Sequence, residues 1–296
     1  MNTKTESARR IPQAVLCQIY CVCTVLIWGI TNACIRFLIP YLSTLSIASV
    51  RLVFASITLF IVVRVKKLPI PPKKDMPYFA LAGVATYVGY SILSTFAMQT
   101  LDAATCSVLV ATAPVMTAIV AFLIWGEKIR PLGWAAIVIE FGGVVLLALM
   151  RGSFSFETGV LLAIISAVCM CVYNLTLRHL TKTYSPLLVT AWASFFATAS
   201  MAFSLPNALI EIETSPWFAV LILIYLGAAS NALSFLLWNS AIKLAVKTSS
   251  VTNWMFVTPI SSASMALIML GEKPDLATYC GGAVILLGLF LFQRFK

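Results

Sequence analysis

The sequence predicts an all-α integral membrane protein, with ten transmembrane helices arranged as two inverted five-helix repeats. Three observations point there: an apolar excess that no soluble fold can cover, a series of apolar runs of spanning length, and a motif that recurs half a chain later. Of the 296 residues, 61% belong to the set AVILMFWYC and 10% are charged. Soluble domains carry about 45–50% apolar and about 25% charged residues. Those figures exclude soluble, disordered and collagen-like classes, and 14 Gly with 13 Pro leave no low-complexity segment.

Apolar runs bounded by charges or proline predict helices at about 14–38, 43–65, 76–98, 103–125, 131–150, 157–179, 186–206, 215–239, 246–270 and 276–294. Each approaches the ~20 residues needed to cross a bilayer. Lipid offers an open backbone no hydrogen-bond partner, so such runs must be helical. The third and eighth carry several polar residues and are the least regular. Residues 1–12 are read as a polar tail; no A-x-A site follows the first run, so that run is expected to be retained.

The formal charge of +10 comes from basic residues scattered in short groups between apolar runs. That is not the single basic face of a nucleic-acid binder. It is a topology signal instead. With the N-terminus inside, the inner side receives Lys4, Arg9, Arg10, Arg64, Lys66, Lys67, Lys73, Lys74, Lys128, Arg130, Arg178, Lys182, Lys243, Lys247, Arg294 and Lys296. The outer side receives only Arg36, Arg151 and Lys273. This asymmetry predicts a multi-pass protein of the plasma (inner) membrane with both termini cytoplasmic.

The eight cysteines, including the C-x-C pairs Cys21/Cys23 and Cys169/Cys171, all lie in apolar stretches and lack the partners of a zinc site. They read as small buried hydrophobes. No metal, nucleotide or other cofactor pattern is present in the sequence.

The second half repeats the first. PVMTAIVAFLIWGEK at 114–128 aligns without a gap to PISSASMALIMLGEK at 259–273, and the same offset pairs Trp28 with Tyr173, Gly143 with Gly288, and Glu140 with Ile285. After the 1–12 tail the units are residues 13–150 and 151–296, five helices each. An odd number of helices forces the two copies to insert with opposite orientation. Inverted repeats of this kind build many secondary transporters.

A proline in the fourth helix, then G-E-K, then a glycine-bearing fifth helix, all in duplicate, resembles the EamA domain of the drug/metabolite transporter superfamily. Trp28-Gly29, Arg51-Leu52, Pro114 with Gly126-Glu127, and Pro259 with Gly271-Glu272 carry the resemblance, from about residue 13 to 294. It implies ten helices in two inverted halves, transport of a small organic solute and, by resemblance alone, export. Glu140 departs from the usual apolar residue of the fifth helix.

Two charges fall inside spans. Glu140 sits about nine residues into its helix, so ~13 Å deep at ~1.5 Å per residue. It reads as a proton-coupling site, as half of a pair with Arg51, or as a carboxyl held protonated against a neighbour. Arg51 reads as a pairing partner or as the receiver of an anionic substrate group. Pro114 and Pro259 each remove a backbone hydrogen bond and are expected to kink their helices.

A mid-span set of aromatics and amides is the expected substrate surface: Trp28, Asn32, Tyr87, Tyr90, Tyr173, Asn174, Asn231, Trp238, Asn253 and Trp254. Amides cannot face lipid cheaply, so each must face protein or water. The family resemblance assigns their helices, the first, third, sixth, eighth and ninth, to a central cavity. Trp125, Trp134 and Trp217 read as interface anchors and His179, beside Arg178, as solvated. Gly142-Gly143 and Gly281-Gly282 are expected to allow close helix approach.

The expected function is therefore a secondary active transporter of a small metabolite, amino-acid-like or amphipathic and aromatic. Its expected partners are the solute, the bilayer and a coupling proton, and the chain is read as a monomer or homodimer. A membrane enzyme acting on lipids and a passive channel are the alternatives.

Overall fold

Every regular element among the described residues is helical. The computed structural model describes residues 12–100, 109–110, 112–150, 158–270 and 276–295. Among the described residues fourteen α-helices are numbered in chain order. In the first half these are α1 (Gln13–Leu38), α2 (Thr44–Val65), α3 (Met76–Gly83), α4 (Ser91–Thr100), α5 (Thr112–Trp125) and α6 (Pro131–Met150). The second half holds α7 (Thr158–Thr183), α8 (Pro186–Ser200), α9 (Leu205–Thr214), α10 (Trp217–Tyr225), α11 (Ser234–Leu244), α12 (Ser249–Thr252), α13 (Thr258–Leu270) and α14 (Leu276–Phe295).

Among the described residues five stretches are long and apolar enough to cross a membrane: Gln13–Ile35, Thr44–Val65, Lys73–Ala97, Thr158–Thr183 and Trp217–Leu244. A sixth arises if Pro186–Ser200 and Ala202–Thr214, bent by 50°, count as one. Thr112–Trp125, Pro131–Gly143 and Tyr279–Phe292 are shorter apolar helices at the places expected for the fourth, fifth and tenth spans. The expected ninth run is divided into α12, a tight 3₁₀ segment Asn253–Val257, and α13. Among the described residues the predicted runs are therefore not uniform rods.

The polarity of the packing identifies the solvent. Leu123, Ile124, Val138, Ile268 and Phe290 are each more than 60% exposed, while Thr86, Thr117, Glu140, Ser166, Asn174, Ser194 and Ser234 are completely buried. Water would select the reverse arrangement; a bilayer selects this one, because polar side chains find partners only against other helices.

Local chemistry starts and breaks the helices in parallel ways in the two halves. Ser43 caps α2 by accepting the Ser46 N–H, and Ser185 caps α8 by accepting the Leu188 N–H, each at 3.3 Å. Such a cap satisfies one of the orphan donors of the first turn. The third rod widens to a π-helical stretch at Val84–Tyr90, between α3 and α4. The eighth rod does the same at Leu226–Leu233, between α10 and α11. Wide turns of this kind concentrate at functional sites.

The halves interlock. An added Cβ at Gly83 would collide with the Ala193 carbonyl of α8, and one at Gly227 would collide with Phe54 and lie 2.7 Å from the Arg51 carbonyl of α2. The third rod thus packs on the second half's second helix, and the eighth rod on the first half's. Likewise α1 lies against α11 and α13, with Gly29 closed onto Ser261, while α7 lies against α4 and α5. The most extensive crossing is α6 with α14. There a Cβ at Gly288 would meet Glu140 N at 2.8 Å and Ala136 O at 3.1 Å, and one at Gly143 would meet Ile285 N at 2.9 Å and Gly281 O at 3.0 Å. Residue numbers rise along α6 as they fall along α14, so the two helices run antiparallel. Glu140 and Ile285, like Gly143 and Gly288, occupy matching positions of the repeat, so the crossing is close to two-fold symmetric. Of the four expected glycines, Gly143 permits the close approach, Gly142 faces open space and Gly282 meets Ile260 at ordinary contact distance.

Candidate functional site

The two π segments meet at the centre of the molecule. Tyr87, in the first, donates its hydroxyl to the backbone carbonyl of Asn231, in the second, at 3.4 Å. A π turn re-routes the i→i−4 bonds, which leaves a main-chain carbonyl free to accept from a side chain. Tyr87 packs on Phe235 with centroids 4.8 Å apart, Phe235 touches Trp28 at 5.6 Å and Tyr173 at 5.8 Å, and Trp28 lies 5.1 Å from Trp238. These separations and tilted geometries are those of favourable aromatic pairs.

Polar tips pin the aromatic cluster. Tyr173 donates to Asn239 Oδ1 at 2.6 Å, Asn239 donates to Thr190 Oγ1 at 2.7 Å, and Trp238 Nε1 donates to Asn174 Oδ1 at 3.1 Å. On the α1 side, Trp28 Nε1 donates to Ser234 Oγ at 3.1 Å and Thr31 to Ser230 Oγ at 2.7 Å. Six of the ten expected substrate residues, Trp28, Tyr87, Tyr173, Asn174, Asn231 and Trp238, are thereby gathered in one buried cluster built from both halves. Arg51 adjoins it, 6% exposed, with Nη2 donating to Ser91 Oγ and with Tyr87 and Tyr90 in electrostatic range.

The remaining expectations fall elsewhere. Trp254 Nε1 donates to Gln18 Oε1 at 2.8 Å. Asn253 leaves the central cluster and donates from Nδ2 to Glu140 Oε1 at 2.5 Å. Glu140 is fully buried, and its Oε2 has no partner. The pair expected between Arg51 and Glu140 therefore does not form: each has its own neutral partner, on a different helix. The side chains of Asn32 and Pro259 lie outside the described residues. Pro114 is buried near the start of α5, and Pro259 is the second residue of α13, directly after the 3₁₀ segment, where its missing N–H fits a change of helix type. His179 is exposed beside the Tyr78 ring at 5.0 Å, as a solvated residue should be. Among the described residues no group of His, Cys, Asp or Glu forms a metal site.

A second polar cluster, unforeseen from the sequence, closes one end of the bundle. Gly126 has φ +63°, the left-handed conformation that ends a helix, and its N–H bonds the Phe122 carbonyl at 3.0 Å. The turn delivers Glu127 to α12, where its carboxylate accepts the Thr248 N–H at 2.8 Å and the Thr248 hydroxyl at 2.8 Å. Arg178, 3.9 Å from the same carboxylate, donates to the carbonyls of Ile242, Ala245 and Val246 at 2.8–3.0 Å. One carboxylate and one guanidinium thus join the ends of α5, α7 and α11 to the start of α12. The G-E of the G-E-K motif was the available signal; its glycine turns the chain and its glutamate caps a distant helix start.

A polytopic helical membrane protein, with its polar groups and large aromatics buried where two interlocked halves meet, is the class defined by this fold and site. The EamA-like transporter family model matches residues 15–149 and again 157–294. The chain belongs to that family. A probable terminal-alkyne amino-acid exporter of Streptantibioticus cattleyicolor is 27% identical over 92% of both chains. The uncharacterized transporter YdfC of Bacillus subtilis is 26% identical over 82% of this chain and 79% of its own. An uncharacterized transporter of Archaeoglobus fulgidus is 24% identical over 92% and 96%. A crystal structure with TM-score 0.77 and 18% identity covers 95% of this chain and 99% of that one, a likeness of fold. These names indicate a transporter rather than an enzyme.

Proposed function

We propose that this protein is a secondary active exporter of a small organic metabolite, amino-acid-like or amphipathic and aromatic, working by alternating access around the central cluster. The observation that carries the reading is that Trp28 and Tyr87 of the first half and Tyr173, Asn174, Asn231 and Trp238 of the second share one buried site. A site shared between two halves opens to one side or the other when the halves rock. The near two-fold crossing of α6 and α14 supports an inverted arrangement of five helices in each half, ten spans in all, with both termini in the cytoplasm of a plasma (inner) membrane protein. The amino-acid class draws support from the exporter of Streptantibioticus cattleyicolor.

Glu140 is the proposed proton site. One oxygen takes the amide of Asn253 and the other is free to hold a proton. Packing does not require a carboxylate there, since Ile285 fills the matching position with hydrocarbon. The Glu127–Arg178–Thr248 cluster closes the proposed cytoplasmic end and must part for solute to enter.

Proteoliposomes holding the purified protein test the reading. Saturable counter-flow of an amino-acid mixture is expected; linear flux would mean a pore, and conversion of lipid or solute an enzyme. Glu140→Gln should keep counter-flow and lose the pH dependence of net flux. An unchanged pH profile would remove Glu140 from coupling.

A further inference from the structure

The centre of the molecule holds three hydrogen-bond donors with nothing to donate to. Arg51 Nε, Asn174 Nδ2 and Asn231 Nδ2 are shut off from solvent and have no partner. Neither the guanidinium nor the first amide is free to turn toward a new one. Arg51 is oriented by its bond to Ser91 Oγ. The Trp238 indole fixes which end of the Asn174 amide is the oxygen, so its NH₂ must point away. Buried donors without acceptors are rare in native structures and ask for an explanation.

The three donors flank one aromatic cluster, Arg51 and Asn231 at one end and Asn174 at the other. Tyr87 lies in electrostatic range of Arg51 and bonds the Asn231 backbone. The aromatic chain Tyr87–Phe235–Trp28–Trp238 leads from there to Asn174. No carboxylate of the described residues pairs with Arg51. Glu140 is taken up by Asn253, and Glu127 by Thr248 and Arg178. A buried guanidinium needs an anion, and a planar fork with free N–H groups matches a carboxylate in size and geometry. A single cation beside two neutral amides suits a monoanion rather than a phosphate dianion.

We propose that the transported solute carries a carboxylate, that Arg51 receives it, and that the amides of Asn231 and Asn174 receive further acceptor atoms of the same solute. The remainder of the solute lies on Trp28, Tyr87 and Phe235. This rests on the transporter reading and names the substrate class of that site.

The test uses the full chain in detergent and five probes: phenylalanine, leucine, 3-phenylpropanoate, phenylalaninamide and leucinamide. Half-saturating concentrations are read from thermal stabilisation. The acids should bind about tenfold or more tightly than the amides, the scale of one charge-assisted hydrogen bond. Arg51→Gln should erase that preference and Arg51→Lys should retain part of it. If Arg51→Gln does not fold, Asn174→Asp serves: it replaces a donor by a charged acceptor and should weaken the acids more than the amides. Equal binding of acids and amides, an unaltered preference in the variants, or no stabilisation by any acid overturns the proposal. The same probes in proteoliposome counter-flow separate the two ideas. Acid-selective binding without flux overturns transport alone, and flux without acid preference overturns the carboxylate site alone.

Discussion

Glu140 against Gly288 and Ile285 against Gly143 are the same contact made twice, once with a carboxylate and once with a hydrocarbon. Both pairs sit where α6 and α14 cross, both use a glycine to let backbone approach backbone, and both side chains are fully buried. The difference isolates what the carboxylate adds. A membrane-buried acid costs about 2.5–3.5 kcal/mol on insertion scales, and the Ile285 side shows that the crossing closes without it. The charge belongs to another task, for which Asn253 supplies one hydrogen bond and leaves one oxygen open.

The largest effect should come from breaking the shared part of the contact. A β-branched side chain at either glycine must displace backbone as well as side-chain atoms, so Gly288→Val and Gly143→Val should each cost about 3 kcal/mol or more. Loss of monodisperse protein on gel filtration would register it; tolerance at Gly143 alone would end the equivalence of the two sides. Next comes copying the charge. Ile285→Glu has no matching amide, because position 108 of the first half, the counterpart of Asn253, is Val108. It should destabilise by about 2.5–3.5 kcal/mol, visible as a lowered unfolding midpoint.

Removing the amide is smaller. Asn253→Leu leaves the carboxyl wholly unpartnered, worth about 1–3 kcal/mol, and the penalty should vanish in a Glu140→Ile background. A double-mutant cycle with no coupling would show that the 2.5 Å bond contributes nothing. The smallest effect concerns a carboxylate of α9, beyond the 50° bend that follows α8. Burial pushes the Glu211 carboxyl up, but the Ser43 N–H at 2.7 Å and the Ser43 and Ser46 hydroxyls outweigh it, and its pKa is lowered. A depressed carboxylate stabilises above its unfolded pKa and loses that contribution as pH falls through the folded value. Glu211 is partly exposed, so screening limits the gain to about 0.5 kcal/mol. Glu211→Gln should flatten the acid limb of the stability curve by that amount and leave neutral-pH transport unchanged.

Much of this was legible in the sequence, and for a physical reason. Lipid punishes unpaired polar groups, so mid-span amides and phenols must converge on protein, and Trp28, Tyr87, Tyr173, Asn174, Asn231 and Trp238 do so. The duplicated G-E-K marked the repeat, and at its first copy the glycine meets a local backbone requirement, the turn at Gly126. What stayed hidden depends on helices far apart in the chain. Asn253 reaches Glu140 across 113 residues and Glu127 reaches Thr248 across 121, and no periodicity encodes such partners. Arg178 read as a topology marker because charge counting ignores the carbonyls a guanidinium can gather. The division of the ninth run was hidden too, since Ser249–Val257 holds neither the proline nor the glycine that would mark a break.

The two π segments set the phase of everything beyond them. Residues of an α-helix follow one another at about 100° around the axis, so one residue more or fewer in Val84–Tyr90 turns the whole of α4 by that angle. Ser91 would then swing off the Arg51 guanidinium. In Leu226–Leu233 the same change would rotate Ser234, Phe235 and Trp238 out of the central cluster together. A one-residue deletion there is thus a change of face, not of length, and these fifteen positions act as the vernier that keeps the polar rows of two halves in register.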